Sequence, residues 1–302
     1  MSKPGPKQSV RETTKNLIAD PKDRIRLDDF VSSELRTAMK ALDRQNFPAS
    51  EVVSAGEFIV RLKKYESAVD ELLDIVILLA RWGEGEQLRV LEKIFERLIE
   101  VDRGSSGSTL WLRLGWYPIH LLMYGAGIAA LSAKRVEVLS TIFLVRTPNE
   151  FGSGLPDRQL ILAASALTEI AESFKQVPGH ERHRVPRSEY LFEVLRPRVE
   201  ELLMLGRGYE VSFDEFEVLW ALIYADLNME ERGGAWGPVG RFGYKYSRGR
   251  GTSPLESLAV EVKGKGAKWR GFDAGLFGGS AKRFEDVTES FRNDFLNKLH
   301  WH

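Results

Sequence analysis

One apolar stretch limits the folds that this chain can adopt. Residues 110–133, LWLRLGWYPIHLLMYGAGIAALSA, carry so little charge that they belong either in a protein core or in a membrane. Arg113 and His120 interrupt the stretch, with Pro118 between them. A central charge on a membrane span costs about 2.5 to 3.5 kcal/mol even on the gentler insertion scales. The stretch therefore predicts a pair of buried helices, and we expect no membrane contact.

Apolar residues recur at helical spacing along most of the chain, which predicts a mostly α fold. The stripes predict helices at about 27–42, 58–82, 88–99, 109–132, 136–143, 157–176, 188–205 and 213–229. Small residues at 125–130 let two helix backbones approach closely, as in helical hairpins. No fixed period recurs, so we expect irregular stacked hairpins of about nine or ten helices and not a named solenoid.

Two capping boxes predict helix starts, and one of them decides the status of a nuclease-like motif. The boxes are SFDE at 212–215 and SPLE at 253–256, each with Ser at the cap and Glu three residues later. Glu261-Val262-Lys263 has the E-x-K form of metal-dependent nuclease sites on strands. On a helix that starts after Ser253, Glu261 and Lys263 are about 200° apart and cannot share a metal. We expect the helix, with the nuclease as the alternative.

Composition excludes some classes of function. Forty-three Lys and Arg balance 43 Asp and Glu, so no global field draws the chain to nucleic acid or to an anionic membrane. The chain has no cysteine, which excludes disulfides, thiolate metal sites and a Cys nucleophile. The start of the sequence lacks the apolar core of a secretory signal. We expect a cytoplasmic protein.

Charge divides the chain into two parts. Residues 1–26 hold seven basic and three acidic residues and few large apolar ones, which predicts a flexible basic tail. Residues 27–302 are predicted to form the α-helical domain. Sequence breaks near 103–108 or 147–157 are the places where two lobes would divide.

Three short motifs invite a chemical interpretation, and for each the structural alternative is stronger. HERH at 180–183 offers two imidazoles, but prolines and arginines flank it, so we expect an exposed charged loop. His120 lies on an apolar face and is expected to be a satisfied core histidine. AGLFGGSAKRF at 274–284 resembles a phosphate-binding loop without its spacing, which favours tight packing before a helix start at Ser280. We therefore predict no catalytic residue, no metal and no cofactor.

The segment 232–251, RGGAWGPVGRFGYKYSRGRG, combines five basic residues, four aromatics and seven glycines without an acid. Basic groups can neutralise phosphates while aromatic rings stack on bases, so one hypothesis is a loop that binds nucleic acid or another anion. The other is a structural or protein-contact loop in which Phe242, Tyr244 and Tyr246 pack on the helices. The candidate binding residues are Arg232, Arg241, Tyr244, Lys245, Tyr246, Arg248 and Arg250.

Three stretches, RLDDFVSSELRTAMKALDRQNFP, YPIHLLMYGAGIAAL and AGLFGGSAKRF, resemble the helical C-terminal region of some bacterial proteins whose N-terminal module is AlbA-like and Schlafen-related. The resemblance extends from Leu27 over most of the chain and rests on packing residues. It implies an accessory helical region of a larger bacterial system, concerned with nucleic acid or antiviral defence. The N-terminal module is missing from this sequence, so no activity or site residue carries over. We expect a non-enzymatic interaction or sensor subunit with a protein partner in trans; the alternatives are a nucleic-acid-binding module and an enzyme with an unrecognised site.

Overall fold

The computed structural model describes residues 6–148, 156–232, 234–247 and 253–298, and it is 76% helical, as predicted. The α-helices are α1 (Pro6–Ala19), α2 (Arg24–Ala41), α3 (Ala55–Ala68), α4 (Asp70–Trp82), α5 (Glu86–Ile99), α6 (Thr109–Leu114), α7 (Tyr117–Ser132), α8 (Val138–Phe143), α9 (Leu160–Ala164), α10 (Pro186–Leu203), α11 (Gly208–Arg232), α12 (Arg241–Ser247), α13 (Pro254–Lys265), α14 (Arg270–Asp273) and α15 (Ala281–Ser290). Strands β1 (Arg146–Thr147) and β2 (Arg158–Gln159) form one antiparallel pair.

Short non-α helical pieces connect several of these elements. They are the 3-10 turns Pro21–Asp23, Arg44–Asn46, Ser165–Gln176, Gly266–Lys268, Leu276–Gly279 and Leu296–Lys298 and the π-helical turn Phe291–Phe295. The described residues thus contain more α-helices than the nine or ten expected. The predicted helix that ends at Trp82 is broken into two at Val69, and the apolar stretch divides at Gly115–Trp116 into a pair of helices, as predicted.

The central helix α7 is apolar on every side, and every residue from Tyr117 to Leu131 is buried. It packs against α4 and α11 through two glycines. A Cβ at Gly125 would lie 2.5 Å from a methyl group of Leu73, and one at Gly127 would lie 2.0 Å from the ring of Phe216. Thr109–Ser132 is long and apolar enough to span a membrane, yet 94% of its most apolar window is buried inside the protein. The prediction of a buried helix pair is confirmed.

Residues 6–19 form a helix and not the flexible tail that their basic composition predicted. Leu17 and Thr14 are buried, and α1 packs against α4 and α2. The Nε of Arg11 donates to Oδ2 of the buried Asp74 at 2.6 Å, and its Nη2 donates to Glu201 at 2.8 Å. The basic charge that suggested a mobile tail is thus part of the contact that holds α1 in place.

Of the two capping boxes, one is confirmed and one is wrong. Ser253 is the N-cap of α13, and its hydroxyl accepts from the Glu256 amide at 3.2 Å. The other box fails because α11 begins at Gly208, four residues before Ser212, which lies inside the helix and is buried. Along α13, Glu261 pairs with Lys265 at 2.7 Å instead of sharing a site with Lys263, as the helical interpretation predicted.

The buried hydrophobic residues form one cluster that extends from Leu17 to Leu296. The Gly/Ser segment 103–108 is fastened to the preceding part of the chain, because the Ser108 amide donates to the Ala49 carbonyl at 2.8 Å. Most of the second proposed lobe boundary, 147–157, lies outside the described residues. The division into lobes stays a prediction.

Candidate functional site

A cleft of about 880 Å³ opens where the first turns of α11 face α12 and the first half of α13. The Ser253 cap and Pro254 at the first helical position start α13 at the edge of this cleft. Four carboxylates and three cationic groups line it together with a few apolar side chains. The lining residues are Lys134, Arg207, Glu210, Val211, Asp214, Glu215, Tyr244, Lys245, Ser253, Pro254, Ser257, Leu258 and Glu261.

One wall of the cleft is α12, which is anchored to the core through its backbone. The amide of Arg241, at the start of α12, donates to Oε2 of Glu217 at 2.8 Å and to Oγ of Ser188 at 3.0 Å. Glu217 comes from the middle of α11 and is almost completely buried. A carboxylate from another helix therefore does what an N-cap side chain ordinarily does for a helix start.

The Glu217 carboxylate is fully used in this network. Its Oε1 accepts from the Ser188 hydroxyl at 2.6 Å and from the Tyr124 hydroxyl at 3.0 Å. Burial raises its pKa to about 7, although the hydrogen bond from Ser188 works in the opposite direction. A Cβ at Gly240 would lie 2.1 Å from both carboxylate oxygens, so only glycine fits there. A pKa near neutrality suits a general base, but this group is sealed inside the protein.

The cationic side chains of α12 are paired with carboxylates. Arg241 forms an ion pair with Glu189 and a longer one with Glu210 at 3.4 Å, and its guanidinium stacks 3.7 Å from the centre of the Phe192 ring. Lys245 contacts Glu210 at 2.6 Å and also pairs with Asp214. The positive charge of α12 is largely neutralised by α10 and α11.

These ion pairs also affect the pKa values of the carboxyl groups that they join. The hydrogen bond from Lys245 lowers the pKa of Glu210, whereas burial raises the pKa of Asp214 against the opposing effect of Lys245. The Tyr244 hydroxyl donates to Oε1 of Glu189 at 3.2 Å, and burial raises the pKa of Tyr244. Lys245 therefore holds two carboxylates that differ in exposure, one at the mouth of the cleft and one deeper in its wall.

The structure brings together three of the seven predicted binding residues: Arg241, Tyr244 and Lys245. Residues 241–247 are helical and not a loop, and Phe242 is fully buried, as the structural hypothesis requires. Arg232 lies at the end of α11 and Tyr246 lies in α12, while Arg248 and Arg250 are outside the described residues. Nucleic-acid binding stays a prediction, and Arg241 and Lys245 would have to exchange existing ion pairs to take part in it.

The opposite side of the cleft carries Glu215 and Glu261. Glu215 is mostly buried, and among the described residues its ion-pair partner is Lys134 at 3.8 Å, whereas Glu261 pairs with Lys265 at 2.7 Å. Burial raises the pKa of Glu215 and the charge of Lys134 opposes this, while the smaller influences of Glu261 and Lys265 act in opposite directions. One turn before Glu215, Val211 is 61% exposed. This part of the cleft places an exposed apolar side chain beside a mostly buried carboxylate whose lysine partner is 3.8 Å away.

His120 is a fully buried core histidine, as predicted, but only Nε2 of its ring has a hydrogen-bond partner among the described residues, and Nδ1 has none. Arg187, itself buried, donates from Nη1 to Nε2 of His120 at 3.0 Å and to the Thr168 hydroxyl at 3.2 Å. Burial lowers the pKa of His120 well below its usual value, and the charge of Arg187 lowers it further. The ring is therefore neutral and serves as an acceptor for a buried arginine.

The HERH and glycine-rich motifs have different outcomes. His180 is buried, which contradicts the expectation of an exposed charged loop, and it approaches His183 and Glu193. In the stretch 274–284, Leu276 and Phe277 are buried and Ser280 caps α15, as the tight-packing hypothesis predicted.

The residues that sequence reasoning missed are the buried carboxylates Asp74, Glu189 and Glu217. Asp74 and Glu217 each stand on a helix among apolar residues, in DELLDIVILLA and FEVLWALIYA, and that pattern is the signal that could have identified these two. Comparisons with protein-family models, curated proteins and solved structures find nothing that matches this chain.

Proposed function

We propose that this protein is a non-enzymatic interaction subunit that receives a segment of a partner protein in the cleft between α11, α12 and α13. The observation that carries the proposal is the exposed Val211 in the wall of the cleft, one turn from Glu215, whose lysine partner lies 3.8 Å away. A cation of the partner can take the place of Lys134 beside Glu215, and an apolar side chain covers the valine. The volume of about 880 Å³ is enough to hold several side chains of a bound segment.

The chemistry of the cleft indicates the kind of segment that fits. On the α12 side, Glu189, Glu210 and Asp214 share the cations Arg241 and Lys245, each of which already contacts two carboxylates. On the other side, Lys134 is 69% exposed and as far as 3.8 Å from Glu215, so a partner can displace it at small cost. The best occupant carries one Lys or Arg for Glu215 and one apolar residue for Val211.

The sequence resemblance adds a setting to this proposal. An accessory helical region of a bacterial system for nucleic-acid handling or antiviral defence works beside a catalytic partner, and the cleft is the surface we assign to that contact. The nucleic-acid alternative has less support, because Arg241 and Lys245 are already paired with carboxylates. We therefore treat oligonucleotide binding as one outcome of the tests below.

Site-specific photo-crosslinking in the native host tests the cleft directly. A photoreactive amino acid at Val211 should give one discrete adduct with a second protein. The same amino acid at Val52, which is 84% exposed and outside the cleft lining, is the matched control and should give none. Glu215→Lys should abolish the adduct by turning an attraction into a repulsion. A Lys or Arg to Glu change in the crosslinked partner segment should then restore it.

Two results would end the proposal. One is an adduct pattern at Val211 that does not differ from that at Val52. The other is an adduct at Val211 that survives Glu215→Lys unchanged. Crosslinking to RNA or DNA in place of protein, together with oligonucleotide affinity that falls steeply with salt, would support the nucleic-acid alternative instead.

A further inference from the structure

A cluster of possible metal ligands lies away from the cleft, at the turn that leads into α10. It consists of His180 and His183 from the segment after Val177 and of Glu193, two turns along α10. Their ligand atoms all lie within 4.8 Å of one another. The His183 amide donates to the His180 carbonyl at 3.1 Å, and this tight turn brings the two rings to 5.2 Å. The turn at 180–183 and the helix α10 thus bring the three side chains to one place.

The strongest observation is the state of the His180 ring. The residue is only 4% exposed, yet within the described part of the chain its Nε2 has no hydrogen-bond partner, and it lies 3.5 Å from Oε2 of Glu193. A buried polar atom without a hydrogen bond costs about 1 to 3 kcal/mol, so such an atom calls for a ligand or another explanation. The Nε2 atom lies near His183 and Glu193, and a ligand bound by all three side chains would be its missing partner.

The other ring nitrogen of His180 is arranged as in metal-binding histidines. Nδ1 faces the Pro178 carbonyl at 3.4 Å, which places the proton on Nδ1 and leaves the lone pair on Nε2. Metal-ligating histidines almost always donate their second N–H to a carbonyl or a carboxylate in this way. Tyr190 packs edge-on against the ring at 5.5 Å and fixes its plane.

We propose that His180, His183 and Glu193 bind one zinc ion. Two histidines and one glutamate form a ligand set used by zinc sites that keep a fourth position for water or another ligand. Zinc–nitrogen and zinc–oxygen bonds of about 2.0 to 2.2 Å require the three atoms to close up further than 4.8 Å. His183 is half-buried and Glu193 is exposed, so their side chains are free to move towards the buried His180.

The charges around the cluster permit a cation. Arg182 and Arg184 flank His183 in sequence, and both are exposed to solvent, where their charge is screened. Glu181 opposes them: it accepts a hydrogen bond from the Gly179 amide, and backbone hydrogen bonds lower its pKa. The ion would tie the segment 177–185 to α10, the helix that also supplies Ser188 and Glu189 to the α12 anchor. It would therefore act as a clamp on that segment.

Metal titration of the untagged full-length chain tests the site. The background carries His300→Asn and His302→Asn so that the terminal histidines do not compete. We expect one zinc ion per chain by calorimetry, a higher melting temperature with zinc, and the visible absorption of four-coordinate cobalt when Co²⁺ replaces it. The variants are His183→Ala, at a half-buried position, and Glu193→Gln, at an exposed one. Glu172→Gln, at a glutamate 71% exposed outside the cluster, is the matched control.

Loss of an outer-shell partner costs about 10- to 100-fold in metal affinity, so we expect loss of a ligand to cost at least about 100-fold. Each cluster variant should show this loss while Glu172→Gln binds as the parent does. No saturable zinc binding with a Kd below about 0.1 mM in the parent overturns the proposal. Equal affinity in the parent and in His183→Ala also overturns it, and a loss confined to His183→Ala removes Glu193 from the ligand set.

Discussion

The helices α1 and α12 come from two basic segments, one predicted to be a flexible tail and the other a loop, and both are anchored on carboxylates of the core. They are anchored differently. Helix α1 is held by a side chain, Arg11, whose guanidinium reaches the buried Asp74 and the exposed Glu201. Helix α12 forms ion pairs through Arg241 and Lys245 and is also held by its backbone, because the Arg241 amide donates to the buried Glu217. The same surplus of positive charge in the sequence thus serves two kinds of attachment.

The difference concerns how each buried carboxylate is compensated. Asp74 has two guanidinium groups within hydrogen-bond distance, Arg11 at 2.6 Å and Arg198 at 3.1 Å. Among the described residues, Glu217 accepts only from neutral donors, namely two hydroxyls and an amide, and burial raises its pKa to about 7. The α1 anchor is therefore an ion-pair network, whereas the α12 anchor is a neutral hydrogen-bond network once Glu217 is protonated. Mutation and pH should separate the two.

The largest effect is expected at Asp74. Asp74→Ala leaves the mostly buried guanidinium groups of Arg11 and Arg198 without their shared partner, and breaking a buried ion pair in this way costs about 3 kcal/mol or more. Urea unfolding measures the loss, and hydrogen exchange should show α1 opening before the rest of the protein. The matched control is Glu201→Ala, which removes a carboxylate 60% exposed from the same Arg11 and should cost no more than about 1 kcal/mol. Equal losses in the two variants would show that burial of Asp74 does not determine how α1 is held.

The next effect is a pH dependence of the α12 anchor in the range up to neutral pH. The pKa of Glu217 is raised from 4.5 to about 7, so the unfolded chain loses this proton before the folded protein does. Between these values the folded state binds more protons, and stability falls as pH rises. Glu217→Gln has no proton to lose at this position. Relative to the wild type, its free energy of unfolding should therefore rise by up to about 3 kcal/mol between pH 4.5 and 8.

The glutamine also keeps the network intact, because its Nε2 can donate to the Ser188 and Tyr124 hydroxyls while its Oε1 accepts from the Arg241 amide. Urea unfolding of both proteins across this pH range measures the gain. Glu172→Gln, at an exposed glutamate, should follow the wild-type curve. Parallel curves for the wild type and Glu217→Gln would mean that Glu217 is ionised in the folded protein throughout, and the contrast with Asp74 would disappear.

A smaller effect is expected from the glycine that lets α12 reach its anchor. Gly240→Ala places a Cβ 2.1 Å from the Glu217 oxygens, and overpacking of this kind costs about 1 to 3 kcal/mol. Gly264→Ala is the control: it lies in α13 with nothing within 4 Å of the added methyl, and it should stabilise the protein by up to about 1 kcal/mol. Thermal unfolding should therefore shift in opposite directions for the two variants. A stabilised Gly240→Ala would argue against the close approach of residue 240 to Glu217.

Sequence reasoning identified what depends on neighbours in the chain and missed what depends on distant partners. The spacing of Leu255, Leu258 and Val262 and the Ser253 cap were enough to predict α13. The fate of Arg11 and Arg241 was not predictable in this way, because their carboxylates lie 63 and 52 residues away. The same limitation applies to His180, whose burial and approach to Glu193 depend on how the turn after Val177 packs against α10.

The smallest effect is expected at Glu261, a partly exposed carboxylate against which the effects at the buried Asp74 and Glu217 can be compared. This carboxylate is 31% exposed and pairs with Lys265 one helical turn away, and surface pairs at this spacing contribute about 0.3 to 0.5 kcal/mol. Glu261→Ala should therefore change the free energy of unfolding by no more than about 0.5 kcal/mol, far less than Asp74→Ala.

The same variant decides the status of the E-x-K motif. In the helix α13, Glu261 bonds to Lys265 and not to Lys263, so its loss should abolish no metal-dependent cleavage of DNA or RNA. Lys263→Ala is the control, since an E-x-K nuclease needs both side chains whereas the helix needs neither. If the native protein cleaves nucleic acid with Mg²⁺ and both variants abolish the cleavage, Glu261 and Lys263 belong to a nuclease site, and the interpretation of Glu261 as a surface ion-pair residue is wrong. If neither variant changes stability or activity, an ion pair on this surface contributes little, and the large effects at Asp74 and Glu217 can be attributed to burial.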